Sequence, residues 1–237
     1  MRIDVVLMPR ELPVRPRPEL YAAVIDVLRA TTSIVAAFAN GCRSIRPVAS
    51  SEEARRARVV DPALVLAGEE GGLRVEGFDL GNSPREFTQS AVGGRDIILT
   101  TSNGTKAMRA VSPGRIVAIA ALRNRAAVGD WLVSRGADSL IVCSGYEGAF
   151  SLEDAVCAGG IVDRAARMAP RLGLGDGARA CRILWESFLS DLPALLRNSG
   201  WGERLLGLGL EADLAFCAVP DAAAVVPVMT EGRITRE

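Results

Sequence analysis

The chain has 237 residues, 49% of them apolar, with 28 basic and 28 acidic side chains that cancel to zero net charge. That length suits one large domain or two small ones around a substantial core, and the charge balance gives no whole-molecule field to attract nucleic acid or an anionic membrane. No apolar run approaches the ~18 residues of a membrane span, and the start MRIDVVLMPRELP lacks a signal peptide's apolar core, so a cytoplasmic protein is expected.

In chain order, residues 3–8 read as a first strand and the proline-rich residues 9–18 as an extended loop. Residues 21–27 form a near-continuous apolar run, as in a strand buried on both faces. Helical spacing follows over 31–40 and stops at Gly41. A strand at 45–48 leads to a helix at 51–59 that opens with a Ser50/Glu53 capping box, and 64–67 is another strand. Ser83-Pro84 reads as a helix start with proline at its first position. Strands at 97–100, 116–120 and 139–143 then alternate with helices at 105–111, 124–135 and 151–168, the last with Ser151 and Asp154 at capping-box spacing.

This rhythm predicts an α/β fold, a three-layer α/β/α arrangement with a mostly parallel or mixed central sheet. Beyond Pro170 the pattern turns helical: a turn at 173–177, helices at 179–189, 192–198 and 204–208, and returning strands at 216–219 and 225–229. The organisation expected is a single domain over 1–237 with a more helical segment at about 171–215.

Two features of composition narrow the chemistry. There is no histidine, which removes Ser-His-Asp and Cys-His triads, phosphohistidine intermediates and histidine-ligated zinc together. Any metal must then be held by oxygens, favouring magnesium, manganese or calcium. Cys42, Cys143, Cys157, Cys181 and Cys217 are odd in number, widely spaced and without a CxxC pair, so buried free thiols are expected rather than disulfides or a zinc site.

Four apolar runs break into polar clusters that open helices, and in an open α/β sheet such strand ends converge on one crevice. In AAVIDVLRATTS, Asp26 can bind a cation or attack phosphorus, Arg29 can clamp a phosphate, and Thr31 and Thr32 stand at a helix start that offers N–H donors. An Asp–Arg ion pair beside a Thr/Ser cap explains the same residues without function. In LVLAGEEGGLRVEGFDLGNSP, Glu69 is the stronger carboxylate candidate and Asn82-Ser83 lead into a helix, with Asn82 also explicable as a cap.

IILTTSNGTKA is the strongest local signal. Thr101, Asn103, Gly104 and Thr105 supply hydroxyl and backbone donors sized for a phosphate, and Lys106, the single lysine of the chain, adds a point charge at the rim. The spacing is not that of a Walker loop. In LIVCSGYEGAFSLEDA, Glu147, Glu153 and Asp154 are three carboxylates within eight residues, of which Glu153 and Asp154 are metal-ligand candidates, although the helix macrodipole alone favours acids in a first turn by ~0.3–1 kcal/mol each.

VIDVLRATTS, AGEEGG, GFDLGNSP, TTSNGT and FSLEDAVCAG together resemble the 2-phosphosulfolactate phosphatase family, the phosphatases of coenzyme M biosynthesis, over about residues 20–160. GLGLEADLAFCAVPD and the VPV near Val226 are similar to that family's tail. The resemblance implies a compact α/β fold and a magnesium-dependent phosphatase acting on 2-phospho-3-sulfolactate or a similar 2-phosphohydroxy acid. By position, Asp26, Arg29 and Thr31 fall in its first motif, Glu69 in its second, Asn82 and Ser83 in its third, Asn103, Gly104 and Thr105 in its fourth, and Glu153 and Asp154 in its fifth. Ser199-Gly200-Trp201-Gly202 departs from the family's frequent Ser-x-His-Gly, which puts the natural substrate in question.

The catalytic set expected is Asp26, Arg29 and Lys106, with Thr31, Thr32, Asn82, Ser83, Thr101, Asn103, Gly104 and Thr105 binding phosphate and Asp26, Glu69, Glu153 and Asp154 holding Mg2+. Asp26 is either a nucleophile forming an aspartyl-phosphate or a magnesium ligand beside an attacking water. Leu28 stands where a D-x-D motif has its second aspartate, which favours water. The partner expected is a small phosphorylated molecule, with no nucleic acid and no membrane. A homodimer is expected only from the general habit of soluble enzymes. Two other readings stay open: a phosphatase for a different phosphohydroxy acid, and a non-catalytic binder of organic anions, which needs the anion cradle but not Asp26 and Glu69 together.

Overall fold

The structure, a computed structural model, describes residues 1–12 and 21–237. Residues 13–18 of the expected proline-rich loop lie outside the described residues, and Pro9–Glu11 forms a 3₁₀ turn. The strands are β1 (Arg2–Val6), β2 (Tyr21–Ile25), β3 (Ser44–Pro47), β4 (Val65–Glu70), β5 (Leu73–Arg74), β6 (Asp96–Thr100), β7 (Val117–Ala120), β8 (Ser139–Cys143), β9 (Gly173–Leu174), β10 (Pro227–Thr230) and β11 (Arg233–Arg236). The helices are α1 (Ala30–Ala39), α2 (Ser51–Val60), α3 (Gln89–Val92), α4 (Gly104–Val111), α5 (Arg125–Ser134), α6 (Leu152–Met168), α7 (Asp176–Phe188), α8 (Leu192–Arg197), α9 (Gly200–Gly207) and α10 (Glu211–Cys217).

The strands join in the order β5-β4-β6-β3-β11-β10-β7-β2-β8-β1-β9. Two parallel blocks, β4-β6-β3 and β7-β2-β8-β1-β9, are bridged by the β10–β11 hairpin, antiparallel to β7 on one side and to β3 on the other. The expected α/β class is thus present as a mixed sheet. Alternation along β2 shows why both faces are covered. Ala23 and Ile25 pack with Val128, Leu132, Ile161 and Trp185 of α5, α6 and α7. Ala22 and Val24 pack with Ile34, Phe38 and Met108 of α1 and α4. Side chains alternate across a strand, so an unbroken apolar run must be buried twice. Each buried Val, Ile or Leu contributes about 1.5–3 kcal/mol relative to exposure.

Helix α2 opens as expected, with Ser50 Oγ accepting the Glu53 N–H at 3.2 Å. The long helix α6 is capped by Ser151, whose Oγ accepts the Asp154 N–H at 3.4 Å. Gly159 lets α7 lie directly on α6, because a Cβ there would sit 1.9 Å from the Cys181 carbonyl oxygen. All five cysteines are buried free thiols.

The later chain differs from expectation in particular places. Residues 173–177 are not a turn: Gly173–Leu174 adds a short strand beside β1, and α7 begins at Asp176. The apolar stretch expected as a strand at 216–219 begins inside α10, where Asp213, Leu214 and Cys217 share the buried face. Helix α9 starts at Gly200, earlier than expected, because Ser199 caps it. Ser83-Pro84 opens only a 3₁₀ turn, Pro84–Glu86. Strand β11 was not expected at all, and it carries one side of the bridge between the two parallel blocks. Among the described residues no helix is long and apolar enough to cross a membrane.

Candidate active site

Strand β2 ends at Ile25, in register with Ala120 of β7 and Cys143 of β8. The next residue leaves the ladder for a local partner. The Asp26 N–H donates to Thr31 Oγ1 at 2.9 Å, and that hydroxyl donates back to the Asp26 carbonyl at 2.7 Å. Thr32 Oγ1 donates to the Val27 carbonyl at 2.7 Å. Both threonine hydroxyls therefore shape the turn into α1 and donate to backbone rather than to an outside phosphate. The Leu28–Arg29 peptide within this turn is cis.

The turn fixes the Asp26 carboxylate in a buried position, with Oδ1 accepting the Ala30 N–H at 3.1 Å. Oδ2 lies against the start of α4: a Cβ on Gly104 would come within 2.6 Å of it, so only glycine permits this approach. Thr101 and Thr105 repeat the hydroxyl–backbone exchange seen at Asp26 and Thr31, with Thr105 Oγ1 donating to the Thr101 carbonyl at 2.9 Å and the Thr105 N–H donating to Thr101 Oγ1 at 3.1 Å. Among the described residues the N–H groups of Asn103 and Gly104 have no protein acceptor, which leaves donors for an anion beside Asp26.

Four buried carboxylates border this region, and they divide into two kinds. Glu69, at the end of β4, accepts the Gly72 N–H through Oε2 and the Ser102 N–H through Oε1, both at 2.7 Å. It ties the β4–β5 hairpin to the loop before α4. Asp154 accepts the Val27 N–H through Oδ1 at 2.9 Å, and the Gly145 N–H and Ser144 hydroxyl through Oδ2 at 3.2 Å. It ties the ends of β2 and β8 together. Both oxygens of each residue are occupied in holding loops.

Asp26 and Glu153 are the other kind. They border one narrow pocket with Asn103, Ser144, Tyr146 and Trp201, which Asp154 also lines although its oxygens are taken by backbone and Ser144 donors, and the pocket has about 10 Å³ of free room, enough for about one water. Burial pushes the Asp26 carboxyl up to about 7, and the neighbouring Glu69 and Glu153 charges add to the rise. Glu153, beside Ser151 and Ser199, is raised by burial as well. Asp154 is pushed well above the usual carboxylate range by burial and by Glu153 and Asp26. Like charges are crowded here and no basic side chain lines the pocket, and shifts of this origin cluster at functional sites.

Arg29 does not border the pocket. Its guanidinium is buried, with Nη1 donating to Asp213 at 2.6 Å and Nη2 donating to the Gly72 carbonyl at 2.6 Å. Ser83 Oγ donates to the other Asp213 oxygen at 2.6 Å, and Ser33 Oγ donates to the Asn82 carbonyl at 2.8 Å. The residue expected as a phosphate clamp, and Ser83 expected on phosphate, thus join α10 to the β4–β5 hairpin and to α1. Asn82 is buried with its Oδ1 unpartnered. Asp213 has no local sequence signal: it lies 184 residues from Arg29. Lys106 is exposed on the first turn of α4, at the edge of a second cavity that shares Asn103 and Ser144 with the narrow pocket. Glu147 is exposed in a tight turn and holds a left-handed backbone, φ 49°.

The donor set suits an oxygen-ligated divalent ion in a limited way. Among the described residues no three Asp, Glu, Cys or His side chains are gathered around one metal position. Magnesium often takes only one or two carboxylates, with water and substrate phosphate completing its shell. Asp26 and Glu153 fit that role, since each shares the pocket and lacks the paired backbone donors that occupy Glu69 and Asp154.

Comparison with known proteins agrees in extent with this arrangement. The family model described as 2-phosphosulpholactate phosphatase matches residues 6–232. A Thermotoga petrophila protein named "Probable 2-phosphosulfolactate phosphatase" is 40% identical over 230 residues, covering 97% of this chain and 96% of the relative. A Synechococcus protein of the same name is 44% identical over 233 residues, covering 96% and 95%. One from Clostridium acetobutylicum is 33% identical over 235 residues, covering 99% and 100%. The match spans Asp26, Glu69, Asn103 and Glu153, and the chain belongs to the 2-phosphosulpholactate phosphatase family.

Proposed function

We propose that the protein is a magnesium-dependent phosphoric monoester hydrolase that converts 2-phospho-3-sulfolactate, or a related 2-phosphohydroxy acid, to the 2-hydroxy acid and phosphate. Its family membership supports the reaction and the substrate class. The observation that carries the mechanism is the placing of Asp26, raised to about 7, against the unpaired N–H groups that open α4.

In this reading the phosphoryl group sits at the mouth of the narrow pocket, where the Asn103 and Gly104 N–H groups bind its oxygens. The pocket behind has room for the attacking water. Asp26 and Glu153 would hold a magnesium ion, which would supply positive charge against the phosphoryl oxygens and lower the pKa of the attacking water. Asp26 orients that water against the phosphoryl group. Glu69 and Asp154 keep the loops in place and do not react. Leu28 lines the pocket two residues after Asp26, so this loop presents no second carboxyl for an aspartyl-phosphate cycle, and direct attack by water is favoured.

Phosphate release by metal-stripped protein from a panel of phosphorylated 2-hydroxy acids, with and without magnesium, tests the reading. Release that requires magnesium and is greatest with 2-phospho-3-sulfolactate is expected. Tight binding of the same anions with no release from any would overturn it in favour of a binding protein.

A further inference from the structure

We propose that Arg10 and Lys106 form a subsite for the strongly acidic group at carbon 3 of the substrate, the sulfonate in 2-phospho-3-sulfolactate. The proposal rests on the phosphatase reading and adds the recognition of the substrate's tail to it.

The narrow pocket around Asp26 has no room for an organic tail. The cavity beside it does, at about 240 Å³, and it is walled by Met8, Pro9, Arg10, Lys106, Ala107 and Ala110. The two spaces meet at Asn103 and Ser144, which border both. A phosphoryl group at that junction directs the rest of the molecule into the larger cavity.

The chain brings the two cations there from separate elements. Arg10 stands on the 3₁₀ turn after β1, which packs against α4, and Lys106 stands on the first turn of α4 itself. Neither side chain forms an ion pair among the described residues. Arg29, by contrast, is already balanced by Asp213 and turned away from the pocket. Charge for a second acidic group therefore comes from Arg10 and Lys106. The carboxylate of the substrate is bonded to the phosphorylated carbon, whereas the sulfonate is one bond further out, matching a cavity that adjoins the reacting position without overlapping it. Three sulfonate oxygens can accept from a guanidinium and an ammonium at once.

Both cations are at the rim, where a single charged contact is worth little, so the pair is expected to discriminate by about tenfold rather than by many orders of magnitude. The test compares kcat/KM for 2-phospho-3-sulfolactate with that for 2-phospholactate, which lacks the sulfonate, in wild type, Arg10→Gln, Lys106→Gln and the double variant. The ratio is expected to fall about tenfold in the double variant, through KM, and to be largely restored by Arg10→Lys in the Lys106 background. An unchanged ratio, or equal losses on both substrates, overturns the proposal. If wild type hydrolyses neither compound, the phosphatase reading fails on its own. Calorimetric titration with 3-sulfolactate then decides the subsite: binding that weakens about tenfold in the double variant supports it, while no binding, or equal binding, overturns it.

Discussion

On the β4 side of the site, Glu69, Arg29 and Asp213 each have close partners; on the β2–β8 side, Asp26 and Glu153 share a narrow pocket that no basic side chain lines. Both sides use buried charge, yet the charges do different work. Glu69 and the Arg29–Asp213 pair hold a hairpin, a loop and α10 together, so losing one leaves another charge or an N–H group buried without its partner. Asp26 and Glu153 repel each other and sit where a cation and a phosphate would relieve them. The first arrangement supports the fold. The second costs stability, and the proposed reaction accounts for that cost, as it commonly does for active-site groups.

The sharpest way to break this contrast is Arg29→Ala, which strands Asp213 in the interior. A loss of about 3–5 kcal/mol is expected, a drop of about 10 °C in Tm for a chain of this size, measured by urea and thermal unfolding. Replacing both partners together, Arg29→Met with Asp213→Leu, should cost less than the single change. If Arg29→Ala leaves stability intact and abolishes turnover, Arg29 is a phosphate clamp after all. Glu69→Gln comes next, at about 1–3 kcal/mol, because an amide cannot accept both the Gly72 and Ser102 N–H groups.

Acidity gives a third comparison. The Asp26 carboxyl rises from 3.8 to about 7 on folding, so the folded chain keeps a proton that the unfolded chain has released. Its contribution to stability is present in full below pH 3.8 and is lost as pH climbs through about 7. The Tm of metal-free protein should therefore fall across that window, and Asp26→Asn should remove that part of the slope. Magnesium should raise Tm more at pH 8 than at pH 5, where Asp26 is largely protonated. The smallest effect is at a distance from the site: Ser50→Ala should cost about 1 kcal/mol through the lost cap of α2, with turnover unchanged.

Much of the fold could be read from the chain because buried parallel strands are unbroken apolar runs, as at Tyr21–Ile25 and Ser139–Cys143. The exceptions have physical causes. Arg233–Arg236 reads as polar because only Ile234 is buried, and a strand of that kind is specified by its partners rather than by its own pattern. FCAV reads as a strand, but Cys217 belongs to the buried stripe of α10 with Asp213. Asp26 and the Asn103–Gly104 turn were visible as strand-end polar clusters. The division of labour among the carboxylates was not. It depends on which backbone N–H groups meet Glu69 and Asp154, and on Asp213 approaching Arg29 from the far end of the chain.

Asp26→Asn, measured two ways on one preparation at pH 8, tests the contrast most directly. Phosphate release from 2-phospho-3-sulfolactate with magnesium should fall by ~10²–10⁴-fold, while the Tm of the metal-free protein rises by about 5 °C as a buried, repelled charge is removed. A variant that keeps its turnover, or that loses turnover together with stability, would contradict the assignment of Asp26 as the reacting carboxylate.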